Sequence, residues 1–331
     1  EAVNHTIELI QHLGAPCDDI RNISVYEPCL KNADAYFLMK QSSQLYVYQN
    51  LPVSPFGPVF DNDFLDAEPE ILVRVNRSQK IPWLVSFTTD FALYPNVDFI
   101  DQVHTQFQHE KFFELSPLIF ELNKRVDDHA KQDIAWKIRE HYDPVNDTSK
   151  KGDDSDDKVT RERFARMVSD RMYTTGILNA ARFHSDSLHA GRRIGHDEAG
   201  PEVYVYRLDY KFDRVADFLV SPVDRWVDNH REDFSLISKD VEEEEEPADA
   251  KIEEFLRNVV VSVWGSFIDK GQPYFERPEF SEHIQFYNVL YGSEWYPGEY
   301  SVWYTEVTHE KFTTLNAYET TEMKFWNSMP I

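Results

Sequence analysis

The sequence predicts an α/β protein, and three observations carry that reading. Residues 203–212, VYVYRLDYKF, are dense in valine, tyrosine and phenylalanine and read as one buried strand. Residues 81–90, IPWLVSFTTD, are a second apolar run of strand type. The third observation is a pair of segments with apolar residues at helical spacing, Arg161 to Ser187 between the strands and Lys251 to Lys270 after them.

The other elements follow in order. Residues 4–13 place Ile7, Leu9, Ile10 and Leu13 on one helical face, and Gly14 and Pro16 stop that helix. A second helix is predicted to begin near Glu27 and to carry Cys29, Leu30, Tyr36, Phe37 and Leu38. The stretch Phe56 to Leu72, FGPVFDNDFLDAEPEIL, reads as a tight loop held by Asp61 followed by a short helix from Pro69. Asp133 to Tyr142 is predicted helical and ends before Pro144. Residues 149–158, SKKGDDSDDK, have no core-forming side chain and are expected to form a flexible charged loop. Residues 241–249, VEEEEEPAD, carry five consecutive glutamates that repel one another and form a second such loop. The Arg161–Ser187 helix places Phe164, Met167, Val168, Met172, Ile177, Leu178, Ala181 and Phe183 on its apolar side. Gly271 stops the last long helix.

The chain has 331 residues and a formal charge of −25, from 34 basic and 59 acidic residues. That balance argues against nucleic acid or an anionic membrane as a partner. It describes a solvated acidic surface, with steering toward a basic partner as the sharper alternative. No apolar run reaches the roughly 18–20 residues that span a bilayer. The chain opens on EAVNHTIEL, which is not a signal peptide, and an upstream leader or anchor stays open.

Four N-x-[ST] sequons, at Asn4, Asn22, Asn76 and Asn146, indicate a secretory route and glycosylation at these positions. On that route the two cysteines, Cys17 and Cys29, are expected to form a disulfide worth about 2–3 kcal/mol by loop-closure entropy. The alternative is a pair of reduced, buried thiols. The histidines show no metal spacing. His184 and His189 are five apart, as are His104 and His109, and no H-E-x-x-H occurs. No metal site and no cofactor are expected.

Several motifs in a fixed order resemble the type-B carboxylesterase/cholinesterase family. "LGAPC" followed about twelve residues later by "CL" is similar to a disulfide loop of that family. Phe56, Pro58, Val59, Asp61, Phe64, Leu65 and Pro69 match its F-x-P-V-x-D-x-x-F-L-x-x-x-P stretch. The segments around "DRMY" and "AARFHS", then Trp264, Phe267, Gly271 and Pro273, then Trp295, Pro297 and Tyr300, and finally Phe325, Trp326 and Asn327 continue the match to the end. The resemblance implies an α/β-hydrolase fold. It further implies that residues 1–331 are the C-terminal portion of a single carboxylesterase-like domain, with the C-terminal part of a central, mostly parallel sheet. The partner that completes it would be the N-terminal half of the same domain.

The same resemblance locates the reacting groups. His230, about twenty residues after the Val203 strand and followed by Arg231, Glu232 and Asp233, corresponds to the family's catalytic histidine. The acid, which the family presents in a D-E-G turn after the earlier strand, corresponds to Phe91, within Asp90-Phe91-Ala92. A phenyl ring cannot orient an imidazole or stabilise an imidazolium. Asp90 is offset by one residue, which on a strand points it to the other face. Val227 stands where the family often has glycine. No G-x-S-x-G occurs among the eleven glycines. These departures lead to the expectation of a protein that is not an enzyme, with His230 and Phe91 as relic triad positions. The implied reading is an adhesion or recognition ectodomain like the non-catalytic insect members, neurotactin first and glutactin second. Its surroundings would be extracellular, at a cell surface or secreted. Its partner would be an extracellular protein ligand, with an immunoglobulin-domain protein among the candidates, and homo-oligomers are a further option. The alternative is the C-terminal chain of an active secreted carboxylesterase that takes its acid from elsewhere.

Overall fold

A computed structural model of the chain describes residues 2–13, 23–45, 56–61, 63–75, 77–88, 111–122, 126–142, 163–189, 202–209, 250–277, 282–286, 303–316 and 321–329. In chain order the elements are α1 (Ala2–Leu13), α2 (Ile23–Asn32), α3 (Ala35–Ser42), α4 (Pro69–Arg74), β1 (Trp83–Thr88), α5 (Lys111–Ile119) and α6 (Asp128–Tyr142). They continue with α7 (Thr175–His189), β2 (Val203–Leu208), α8 (Ala250–Lys270), β3 (Tyr274–Arg277), β4 (Glu282–Gln285), β5 (Trp303–Val307), β6 (Phe312–Asn316) and α9 (Thr321–Ser328). The chain divides into two compact units, Glu1–Glu68 with His109–Ala135, and Pro69–Gln108 with Trp136–Ile331. The two charged segments, 149–158 and 241–249, lie outside the described residues.

The first unit is helical. Its core holds Ile10 of α1, Leu45, Phe112, Leu115 and Ile119 of α5, and Ile134 of α6. The single helix predicted from Glu27 through Leu38 is two helices, because Asp34 interrupts it. The Asp34 carboxylate accepts the Phe37 N–H at 2.8 Å and so caps a new helix, α3, which has no buried residue. The Asp61 loop is as the sequence suggests. One carboxylate oxygen, Oδ1, accepts the N–H groups of Asp63, Phe64 and Leu65 at 3.0, 2.9 and 2.9 Å. These backbone donors, Leu65 foremost, hold the Asp61 carboxyl below the usual carboxylate range.

The second unit is built on a four-stranded sheet in the order β1-β2-β5-β6. β1 runs parallel to β2, β2 parallel to β5, and β5 antiparallel to β6. Side chains alternate along β2. Tyr204, Tyr206 and Leu208 join Leu256, Val259, Val260 and Val263 of α8 in one core cluster. Val203 and Val205 join Leu178, Ala181 and Leu188 of α7 in the other. A strand covered by helices on both faces has no solvent side, so the 203–208 run is apolar on both faces rather than alternating, Arg207 excepted. α8 is amphipathic for the complementary reason: its buried residues recur at spacings of three and four, while Val261 and Ile268 face out.

α8 ends at Gly271, whose N–H bonds the Phe267 carbonyl at 2.8 Å with φ +71°. A Cβ placed there would meet nothing within 4 Å, so the position is restricted by backbone conformation alone. Gly271→Ala is expected to destabilise the protein by about 1–2 kcal/mol, measured by urea unfolding of the full-length protein.

Candidate active site at the carboxyl edge of the sheet

In open α/β sheets, reacting groups gather beyond the carboxyl ends of the strands. Here that edge is set by register. β1 and β2 pair from Trp83↔Val203 to Thr88↔Leu208, so both strands finish side by side. β2 and β5 pair through Leu208↔Val307, and the Asp209 N–H extends the ladder to the Val307 carbonyl at 2.9 Å. Thr88, Leu208 and Val307 are each at most 1% exposed. Among the described residues, the Thr88 hydroxyl has no hydrogen-bond partner. In sequence, the residues assigned to the triad follow the ends of these strands, Phe91 after Thr88 and His230 after Asp209. Phe91, Asp90 and His230 themselves lie outside the described residues.

One residue inside the edge, Arg207 and Glu306 stand directly opposite in the β2–β5 ladder and form an ion pair. The guanidinium also lies 5.5 Å from the Tyr304 ring centroid. An ion pair in register on two parallel strands opposes slippage, since a one-residue slip would send Arg207 to the opposite face.

The entry of β1 is held from α7. His184 Nε2 donates to the Ile81 carbonyl at 2.9 Å, which leaves Nδ1 to accept from the Ser78 hydroxyl at 3.5 Å. The imidazole meets the Trp83 ring edge-on at 5.6 Å. Both nitrogens are thus engaged within the protein, which gives His184 a structural role. Among the described residues no group of three His, Cys, Asp or Glu side chains could hold a metal ion.

A second polar cluster went unnoticed in the sequence. The helix over 163–189 loosens into one π-helical turn at Asp170–Thr174. There Asp170 accepts from the Tyr142 hydroxyl at 2.9 Å, and Tyr142 accepts from the Trp326 indole at 2.7 Å. Arg166 lies 3.9 Å from Asp170 and bonds Glu322 at 2.6 Å. Burial raises the Asp170 carboxyl to about 6, with Glu322 adding to the rise and Tyr142, Arg166 and Arg207 opposing it. Burial likewise pushes the Tyr142 phenol well above its ordinary value.

Unfolded, the Asp170 carboxyl titrates near the ordinary aspartate value of about 3.9. Between that value and about 6 the native state keeps a proton that the unfolded chain has lost. Stability from this site is therefore full below pH ~4 and lost as pH rises through 6. Asp170→Asn keeps an acceptor for Tyr142 and removes the titration. Measured by denaturation of the full-length protein, its stability relative to wild type is expected to rise from pH 4 to 6.5 by on the order of 2 kcal/mol.

Of the modification positions, Cys29 lies in α2 and is disulfide-bonded. Asn4 falls within α1. Cys17, Asn22, Asn76 and Asn146 are outside the described residues.

The profile of the carboxylesterase family matches residues 2–326. The chain belongs to the carboxylesterase family. Esterase E4 of Myzus persicae is 25% identical over 282 residues, which are 81% of this chain and 45% of that protein. Esterase S of Drosophila virilis is 30% identical over 83 residues, 24% of this chain and 15% of that protein. Among solved structures, juvenile hormone esterase from Manduca sexta, with OTFP covalently attached, aligns with a TM-score of 0.59 and 16% identity. That alignment covers 99% of this chain and 55% of the other. The fold is that of an α/β-hydrolase: a mixed sheet, parallel over β1, β2 and β5, with flanking helices. The chain spans about half the length of the aphid esterase it matches.

These relatives correct the expectation that the carboxylesterase-like chain is not an enzyme. The family is enzymatic, and the matched proteins carry esterase names. That expectation rested on the missing G-x-S-x-G and on Phe91, and a chain that spans about half the length of its relative need not carry the serine itself. A triad needs an oxygen at the second nitrogen of its histidine, but that oxygen need not come from a fixed position in the chain.

Proposed function

We propose that this chain forms the histidine-bearing part of a secreted carboxylesterase. His230 acts as general base and acid, and the remainder of the domain supplies the serine nucleophile and its oxyanion donors. Serine attacks the ester carbonyl while His230 accepts its proton. That proton then passes to the departing alcohol, and water repeats the sequence to release the carboxylic acid. Phe91 has no oxygen to hold the imidazole and strand alternation turns Asp90 away, so the orienting carboxylate comes from elsewhere in the domain. The reading is supported above all by the family match across residues 2–326. The parallel pairing of β1 and β2 adds to it, because the strands that precede Phe91 and His230 in the sequence end side by side. The four sequons and the disulfide-bonded Cys29 support an extracellular setting.

The test uses the full-length protein and an aryl ester such as 1-naphthyl acetate. Turnover is expected, and it should disappear after treatment with a serine-directed organophosphate. Absence of turnover across short and medium acyl esters would sink the proposal.

A further inference from the structure

We propose that a cavity on the outer side of α7 is a binding site for a small organic monocarboxylate with an apolar body. α7 turns Leu178, Ala181 and Leu188 toward the sheet and Thr175, Gly176, Asn179 and Phe183 to the opposite side. On that opposite side α4 and α9 close around a cavity of about 400 Å³. Sites for small ligands run from about 300 to 1,000 Å³.

The wall chemistry selects the ligand. Two guanidiniums, Arg74 and Arg171, face the cavity against one carboxylate, Glu70. The two guanidiniums are the groups on this wall that can receive a carboxylate. Both guanidiniums sit on aromatic surface. Arg74 lies 4.1 Å from the Phe183 ring centroid and Arg171 lies 5.9 Å from that of Trp326. Cation and apolar surface therefore meet at the same spot, which suits a carboxylate joined directly to a hydrocarbon body. Glu70 holds Arg74 at 2.7 Å, but both side chains are about half exposed. Such a pair is weak, and an incoming carboxylate can take the place of Glu70.

Two further features belong to the cavity wall. Asn179 donates to the Asn327 amide oxygen at 2.9 Å, and its own buried oxygen has no partner among the described residues. That acceptor suits a water molecule carried in with the ligand. Gly176 leaves the wall open: a Cβ there would meet nothing within 4 Å. A larger side chain at this helical position fills the cavity without a clash at its base.

The experiment is calorimetric titration of the full-length protein with sodium octanoate, octanol and inorganic phosphate. Octanoate is expected to bind about tenfold or more tightly than either control. Gly176→Leu should weaken octanoate by about tenfold or more by filling the space, and Arg171→Met should do so by removing charge. Arg74→Gln, at a half-exposed position, is a second charge variant and should likewise weaken octanoate. Unchanged melting midpoints establish that the variants are folded. Equal binding of octanoate and octanol, phosphate binding as tight as octanoate, or octanoate affinity untouched by Gly176→Leu would each overturn the assignment. None of these readouts requires ester hydrolysis, so failure here leaves the esterase reading standing and the reverse also holds.

Discussion

Replacing His230 by alanine in the full-length protein is expected to lower kcat for an aryl ester by about 10⁴-fold or more, with the melting midpoint unmoved. The imidazole takes the serine proton during attack and returns it to the leaving alcohol, so its removal disables both half-reactions. Substrate binding and the oxyanion donors remain, and they supply only a residual rate. Asp90→Asn is the companion variant, and because strand alternation turns Asp90 away from the imidazole it should leave kcat near wild type. A loss of about 10⁴-fold in kcat, the effect of withholding the orienting carboxylate from a triad histidine, would instead make Asp90 the acid. Either outcome leaves His230 as base. Wild-type rates in His230→Ala would remove the esterase assignment.

Much of the second unit was legible because its strands are covered on both faces. Continuous apolar runs at 81–90 and 203–212 marked the strands that became β1 and β2, and the i, i+3, i+4 pattern of Leu256, Val259, Val260 and Val263 marked the helix above them. Loop geometry was legible at Asp61 because an aspartate followed by free N–H groups closes a turn through its own carboxylate. The break at Asp34 was missed, since Tyr36, Phe37 and Leu38 continue the apolar pattern that Leu30 begins; a cap 2.8 Å from the Phe37 N–H outweighed periodicity. The π turn at Asp170 has no sequence signature. Its polar cluster joins Tyr142, Asp170 and Trp326, which lie far apart in the chain and meet only through packing. Of the candidate site, the sequence carries an order, strand then Asp90-Phe91-Ala92 and strand then His230, and those residues lie outside the described ones. An orienting carboxylate leaves no mark in that order, because tertiary structure can deliver one to an imidazole from more than one place in the chain.

Tyr206→Ala is expected to destabilise the full-length protein by about 3–5 kcal/mol, read from urea denaturation. Tyr206 is 1% exposed in the middle of β2 and packs edge-on to Phe286 at 6.2 Å. Its hydroxyl accepts the Trp264 indole N–H at 2.9 Å, which ties β2 to α8. Truncation opens a cavity in the cluster that holds α8 on the sheet, and the surrounding side chains recover only part of that loss. Tyr206→Phe separates the two contributions. It preserves the ring and leaves the indole donor without its acceptor, at a cost of about 1–2 kcal/mol. Because the ring that packs β2 against α8 is kept, Tyr206→Phe should leave KM and kcat near wild type at temperatures well below the melting midpoint. A large loss of kcat in a folded Tyr206→Phe protein would mean that the Trp264 contact positions the catalytic edge as well as stabilising the core.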